Sequence, residues 1–151
     1  MKLVKKIVKR AMEINNVIVE NESRFGFEET IEKIHKSAEL RGWKIPTVHD
    51  LQETLRKNQI DVQEVKVIEL CKPEFSGELM KEDPTKFVSA LMPCRISVYK
   101  KTDGKAYISR INSAMLSMFM GGAIGRVMGT AGTEMELIMK EVLEQDPLLD
   151  Y

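Results

Sequence analysis

The chain has 151 residues, 43% hydrophobic and 30% charged, a balance that suits one soluble globular domain with a real core. Its 23 Lys and Arg offset 23 Asp and Glu, so the basic footprint of a nucleic-acid binder is missing. Two cysteines exclude a disulfide scaffold, no secretory leader or membrane span is expected, and the expected compartment is the cytoplasm with both thiols reduced.

Residues 3–14 set Leu3, Val4, Ile7, Val8, Ala11 and Met12 at helical spacing with lysines opposite, an amphipathic helix. Packing on the domain or on a second subunit is its expected role. A membrane-surface role is less favoured, because the segment is short and lacks an aromatic anchor. Val17–Glu20 reads as a strand. Gly26 then caps a helix with Glu28 and Glu29 in its first turn, a stripe of Phe27, Ile31, Ile34 and Ala38, and an end at Gly42. Residues 43–48 read as a short strand broken by Pro46, and Asp50 caps a helical turn through Leu51 and Leu55 that Asn58 closes. Residues 62–71 form the next strand. From Val65 to Leu70 its apolar residues fall on both faces, as in a central strand covered on two sides.

A short helix over 75–81 stops at Asp83-Pro84. Residues 94–100 and 105–111 make a hairpin around Thr102-Asp103-Gly104, a strong turn signal. Met115, Met118, Met120 and Met128 then surround Gly121, Gly122, Gly125 and Gly129. Methionine with thiolate suits monovalent copper, but adaptable packing is the commoner use. The glycine spacing lets a helix or a second subunit approach closely. The last helix is expected to begin at Thr133, with Glu136 completing a capping box. Its apolar face is Leu137, Ile138 and Val142, and Asp146-Pro147 ends it. Residues 1–13 are basic, whereas Glu134, Glu136, Glu141, Glu144, Asp146 and Asp150 outnumber Lys140. The two terminal helices are therefore expected to lie near each other, within or between chains.

Cys71 closes one strand and Cys94 opens another, so antiparallel pairing would set the two thiols face to face at one rim. Lys72 and Arg95 follow them directly, and nearby cations favour thiolate, although neighbours in a strand point to opposite faces. A redox couple, two ligands of a soft metal site and a lone nucleophile are the functional readings. A bond closing 71 to 94 would stabilise by about 3 kcal/mol in the entropic model. Burial as two small apolar side chains is the structural alternative. Zinc would need more than two thiolates, and of the two histidines only His49 could reach the rim. Phosphate-binding glycine loops, a nucleophile elbow and a catalytic triad are lacking.

The stretches Val67-Ile68-Glu69-Leu70-Cys71-Lys72-Pro73, Asp83-Pro84 and Leu91-Met92-Pro93-Cys94-Arg95-Ile96-Ser97-Val98-Tyr99, with Phe27-Glu28-Glu29-Thr30 and Asp50-Leu51-Gln52 upstream, resemble the family called domain of unknown function 302. The resemblance runs from about Val17 to Val142; the N-terminal helix and the segment 113–130 look like features of a longer subgroup. It implies a fold similar to the TATA-binding-protein-like α+β architecture and a dimer. It does not imply nucleic-acid binding, since fold does not carry function.

The expected organisation is an N-terminal amphipathic helix at 1–16, one α+β domain at 17–145 with a Met/Gly-rich insertion at 113–130, and a tail at 146–151. The fold class is α+β, an antiparallel sheet with helices on one face in the order β-α-β(3–4)-α. The expected function is that of a dimeric domain binding a small ligand or a partner through Cys71, Lys72, Pro73, Pro93, Cys94, Arg95 and His49. The alternative is a thiol-redox or thiolate-metal protein, with Cys71, Cys94 and His49 as weak metal candidates. No cofactor follows from the motifs, and whether chemistry accompanies binding is left open.

Overall fold

The computed structural model describes residues 1–11 and 14–143. Five strands, β1 Ile18–Glu22, β2 Val48–Asp50, β3 Val65–Leu70, β4 Cys94–Lys100 and β5 Ala106–Ile111, form one antiparallel sheet in the order β1-β5-β4-β3-β2. The helices are α1 Lys2–Ala11, α2 Ile14–Val17, α3 Phe27–Leu40, α4 Leu51–Arg56, α5 Pro73–Met80, α6 Ser113–Phe119 and α7 Gly122–Met139, with a 3₁₀ helix over Asp83–Leu91. The strands and the two long helices follow one another as β-α-β-β-β-β-α, the α+β order expected from the sequence.

The side-chain period of two sends Ile68 and Leu70, Ile96 and Val98, and Ala106 and Ile108 to one face. All six are buried there beneath Phe27, Ile34 and Ala38 of α3 and Ala131, Met135, Ile138 and Met139 of α7. Each of those aliphatic side chains contributes on the order of 1.5–3 kcal/mol by leaving water. The expectation that β3 is covered on both sides is not met. Only Ile68 and Leu70 are fully buried, while Val65 and Val67 on the other face are half-buried. Their β-branching answers the demands of a pleated surface rather than a second layer.

Local signals position several elements as expected. Gly26 precedes α3, and the Asp50 carboxylate accepts from the Glu53 N–H at 2.9 Å to cap α4. Gly104 takes φ +79° in the β4–β5 turn. Others move. The strand expected at 43–48 forms at Val48–Asp50, because Trp43 is buried in the core and the stretch before Val48 makes only an isolated bridge from Lys44 to Cys71 and one bond from the Glu69 N–H to the Thr47 carbonyl. Leu137 is 39% exposed rather than part of the buried stripe. Met12, which the first helix was expected to include, and the Asp146-Pro147 stop lie outside the described residues.

The largest correction concerns α7. Thr133 does not start the last helix but sits inside it, its hydroxyl donating to the Gly129 carbonyl at 3.1 Å. Glu136 is engaged by Arg110. Of the glycines read as a close-approach stripe, only Gly125 is crowded, within the chain against the end of α6; Gly121 and Gly122 face open space, Gly129 stands at ordinary contact distance, and Gly132, outside that reading, is the second tight position. A Cβ on Gly125 would stand 1.9 Å from the Met120 carbonyl oxygen, and one on Gly132 would stand 2.7 Å from Ser113 Cβ. Within the chain, the expected approach of basic and acidic terminal helices does not form from the described residues of α7 and the turn after it. Glu134, Glu136 and Glu141 pair instead with Lys72, Arg110 and Lys33 of the domain.

Gly125→Ala is expected to lower the urea midpoint, with a net loss of about 1–3 kcal/mol despite a helix-propensity gain of ~1 kcal/mol. Gly129→Ala, whose Cβ would meet Ser117 Oγ at 3.4 Å, is expected to be neutral or stabilising in the same measurement.

Candidate functional site

The junction of β3, β4, α5 and α7 holds two neighbouring cavities, each of about 330 Å³. One, here the tryptophan cavity, is bordered by Trp43, Leu70, Cys71, Phe75, Val127 and Ala131, with Lys72 and Ser76 among its polar neighbours. The other, the arginine cavity, is bordered by Val19, Arg95, Arg110, Asn112, Met135 and Glu136 among others. Leu91, Met92, Pro93, Cys94 and Met128 border both, so one wall separates the two spaces. The Met92–Pro93 peptide in that wall is cis.

The two thiols do not face each other. The register sets Leu70, not Cys71, opposite Cys94, and successive residues of a strand point to opposite faces. Cys71 lies one position beyond, its backbone exchanging hydrogen bonds with Lys44 and its Sγ 3.6 Å from Ser76 Oγ. Both thiols are free and half-buried. Burial pushes the Cys94 thiol up, and charge on Cys71 would push it further. The Lys72 ammonium is engaged elsewhere, donating to Glu134 at 2.9 Å and to the Arg41 carbonyl at 3.1 Å.

Of the residues singled out in the sequence, Cys71, Lys72, Pro93 and Cys94 come together around the tryptophan cavity, and Arg95 borders the other. Pro73 borders neither and opens α5, where its missing N–H costs nothing. His49 also borders neither; its Nε2 lies 2.8 Å from Glu69 Oε1. Among the described residues no group of three or more His, Cys, Asp or Glu side chains converges to hold a metal ion. Trp43, Phe75, Val127 and Ala131 escaped the sequence reading as site residues, and Met128 was read only as part of the methionine cluster. An unbroken apolar spacing through Val127, Met128, Ala131, Met135, Ile138 and Val142 could have revealed the three from α7.

The polar edge of the tryptophan cavity is organised by Glu134. Trp43 Nε1–H donates to its Oε2 at 2.7 Å, and the Lys72 ammonium donates to the same oxygen at 2.9 Å. The Trp43 ring meets Phe75 edge to face at 5.9 Å. Burial works against the charge on Glu134, yet the Lys72 and Trp43 hydrogen bonds hold its pKa below the usual carboxylate value. The arginine cavity has a comparable device. The buried Arg110 guanidinium forms a fork with Glu136 at 2.9 Å on both arms and also reaches Asn21.

The fold and site describe an α+β domain with a divided, mostly apolar interior space and a small number of fixed polar groups. A family model described as "Domain of unknown function DUF302" matches residues 19–142, and the chain belongs to that family. Among solved structures it is similar to an uncharacterised conserved DUF302 protein from Bacillus stearothermophilus, at 20% identity and a TM-score of 0.72. That match covers 83% of this chain and 97% of the other, and it shows the shared fold. No curated protein matches the chain.

Two measurements check this site. With a lowered folded pKa, Glu134 favours the folded state above the unfolded carboxylate pKa, and that contribution fades as pH falls through the folded value. Glu134→Gln is therefore expected to lose on the order of 1–2 kcal/mol at pH 7, and the gap to wild type, followed by urea unfolding, should narrow towards pH 3. Cys94, whose thiol is pushed up, is expected to react with a disulfide reagent at pH 8 at least tenfold more slowly than the same thiol in the unfolded chain.

Proposed function

We propose that this chain is a binding module for a small, largely apolar molecule carrying one or two polar groups, seated in the tryptophan cavity. The observation that carries the reading is the composition of that wall: Trp43, Leu70, Phe75, Leu79, Val127, Met128 and Ala131 border a space of about 330 Å³, with Lys72 and Ser76 at its polar side. Apolar walls with a few fixed polar groups are the usual make-up of small-molecule sites. Cys71 and Cys94 serve here as wall residues of moderate size and polarisability. A thiol-redox or thiolate-metal role is less well supported, since burial disfavours thiolate at Cys94 and Leu70 occupies the position opposite it.

Trp43 is the single tryptophan of the chain, so its emission reports on this cavity alone. Titration with an apolar fluorescent probe such as anilinonaphthalene sulfonate is expected to quench or shift Trp43 emission saturably. Native mass spectrometry of the protein as purified is expected to show extra bound mass. Ser76→Phe, which places a ring at the cavity wall from half-buried α5, should cut the probe response at least tenfold while leaving the unfolding midpoint within about 1 kcal/mol. A probe response that persists unchanged in Ser76→Phe, or wild-type protein of exact mass with no emission change, would refute the reading.

A further inference from the structure

The helix α1 is built as a surface-lying segment. At about 100° per residue, Leu3, Ile7 and Val4 fall within an arc of about 100°, and Lys5, Lys9, Lys2 and Lys6 share another of about the same width on the far side. Nothing among the described residues covers the apolar arc: Leu3 is 70% exposed, Val4 62% and Ile7 59%. A helix whose apolar stripe packs on its own domain would have those residues buried, so packing on the domain, one of the two roles expected from the sequence, is not what the fold provides.

Charge decides what kind of surface fits. Residues 2–11 carry Lys2, Lys5, Lys6, Lys9 and Arg10 and no acidic residue, so nothing within the helix neutralises them. The carboxylates of the described C-terminal helical region, Glu134, Glu136 and Glu141, are already paired with Lys72, Arg110 and Lys33. A second copy of α1 would bring the same positive charge against it. An anionic lipid surface supplies both missing partners at once, acyl chains for the apolar arc and phosphate headgroups for the lysines.

We propose that α1 is a membrane-surface anchor that docks the domain on bilayers rich in anionic phospholipid. The proposal is independent of the cavity, because it rests on residues that border neither space. No helix among the described residues is long and apolar enough to cross a membrane, so α1 lies on the bilayer in the manner of an interfacial helix, and its hold is reversible and salt-sensitive.

The test is sedimentation of the full chain with vesicles of phosphatidylcholine alone and with phosphatidylglycerol mixed in, at low and high salt. Wild type is expected to sediment with the anionic vesicles at least tenfold more than with the neutral ones, and to be released as salt rises. Lys5→Gln with Lys6→Gln and Lys9→Gln, and separately Leu3→Asn with Ile7→Asn, should each reduce binding at least tenfold. All five positions are exposed, so Trp43 emission and the unfolding midpoint are expected to stay at wild-type values and keep the comparison interpretable. Equal sedimentation of wild type and both variants overturns the proposal. So does a dimer in light scattering that Leu3→Asn with Ile7→Asn dissolves while wild type ignores vesicles, which would assign the apolar arc to a second copy of this chain.

Discussion

The pairing of β3 with β4 is the constraint from which the rest of the molecule follows. Ile68 against Ile96 and Leu70 against Cys94 place three fully buried aliphatic side chains in the middle of the sheet. A slip of one residue would turn that set out to solvent and bring Glu69 and Arg95 inward. The same register fixes where each strand stops, and therefore where the chain must leave the sheet at Lys72 and enter it at Pro93. The divided cavity lies at that exit and entrance because no strand continues there to fill the space.

Helix α7 completes what the sheet begins. Its lower half closes the core with Met135, Ile138 and Met139, and its upper half supplies Val127, Met128 and Ala131 to the cavities. The upper half can do so only because Gly125 and Gly132 let α6 lie almost backbone to backbone against it. Local propensity and packing pull in opposite directions along this stretch. Glycine weakens an isolated helix by about 1 kcal/mol per position relative to alanine, and the close contact with α6 offsets that loss.

Much of this was legible in the residues. Asp-Gly at 103–104, the β-branched run at 65–68 and the Asp50 cap each encode their geometry locally, within a few residues, and a periodic pattern is enough to find them. Trp43 misled because its β-propensity spoke for a strand, while its burial against Phe75 and its bond to Glu134 are satisfied by residues 32 and 91 positions away. Thr133 and Glu136 have the spacing of a capping box, yet the competing demand came from Arg110, whose guanidinium needed a partner in the interior. Cys94 was placed correctly at the start of a strand, whereas Cys71 falls one position past the end of β3. The pairing register that separates them depends on long-range packing of Leu70, which no local signal records. Arg110 itself was missed for the same reason: its role exists only once β5 and α7 are adjacent.

The wall made by Leu91 to Cys94 and Met128 is common to both cavities. Side chains in this partition border both spaces, so a shift in them changes the shape of both. Met128, with its unbranched thioether and several rotatable bonds, is the most deformable part of that partition. A molecule on the tryptophan side therefore rests on side chains that also shape the space beside Arg110.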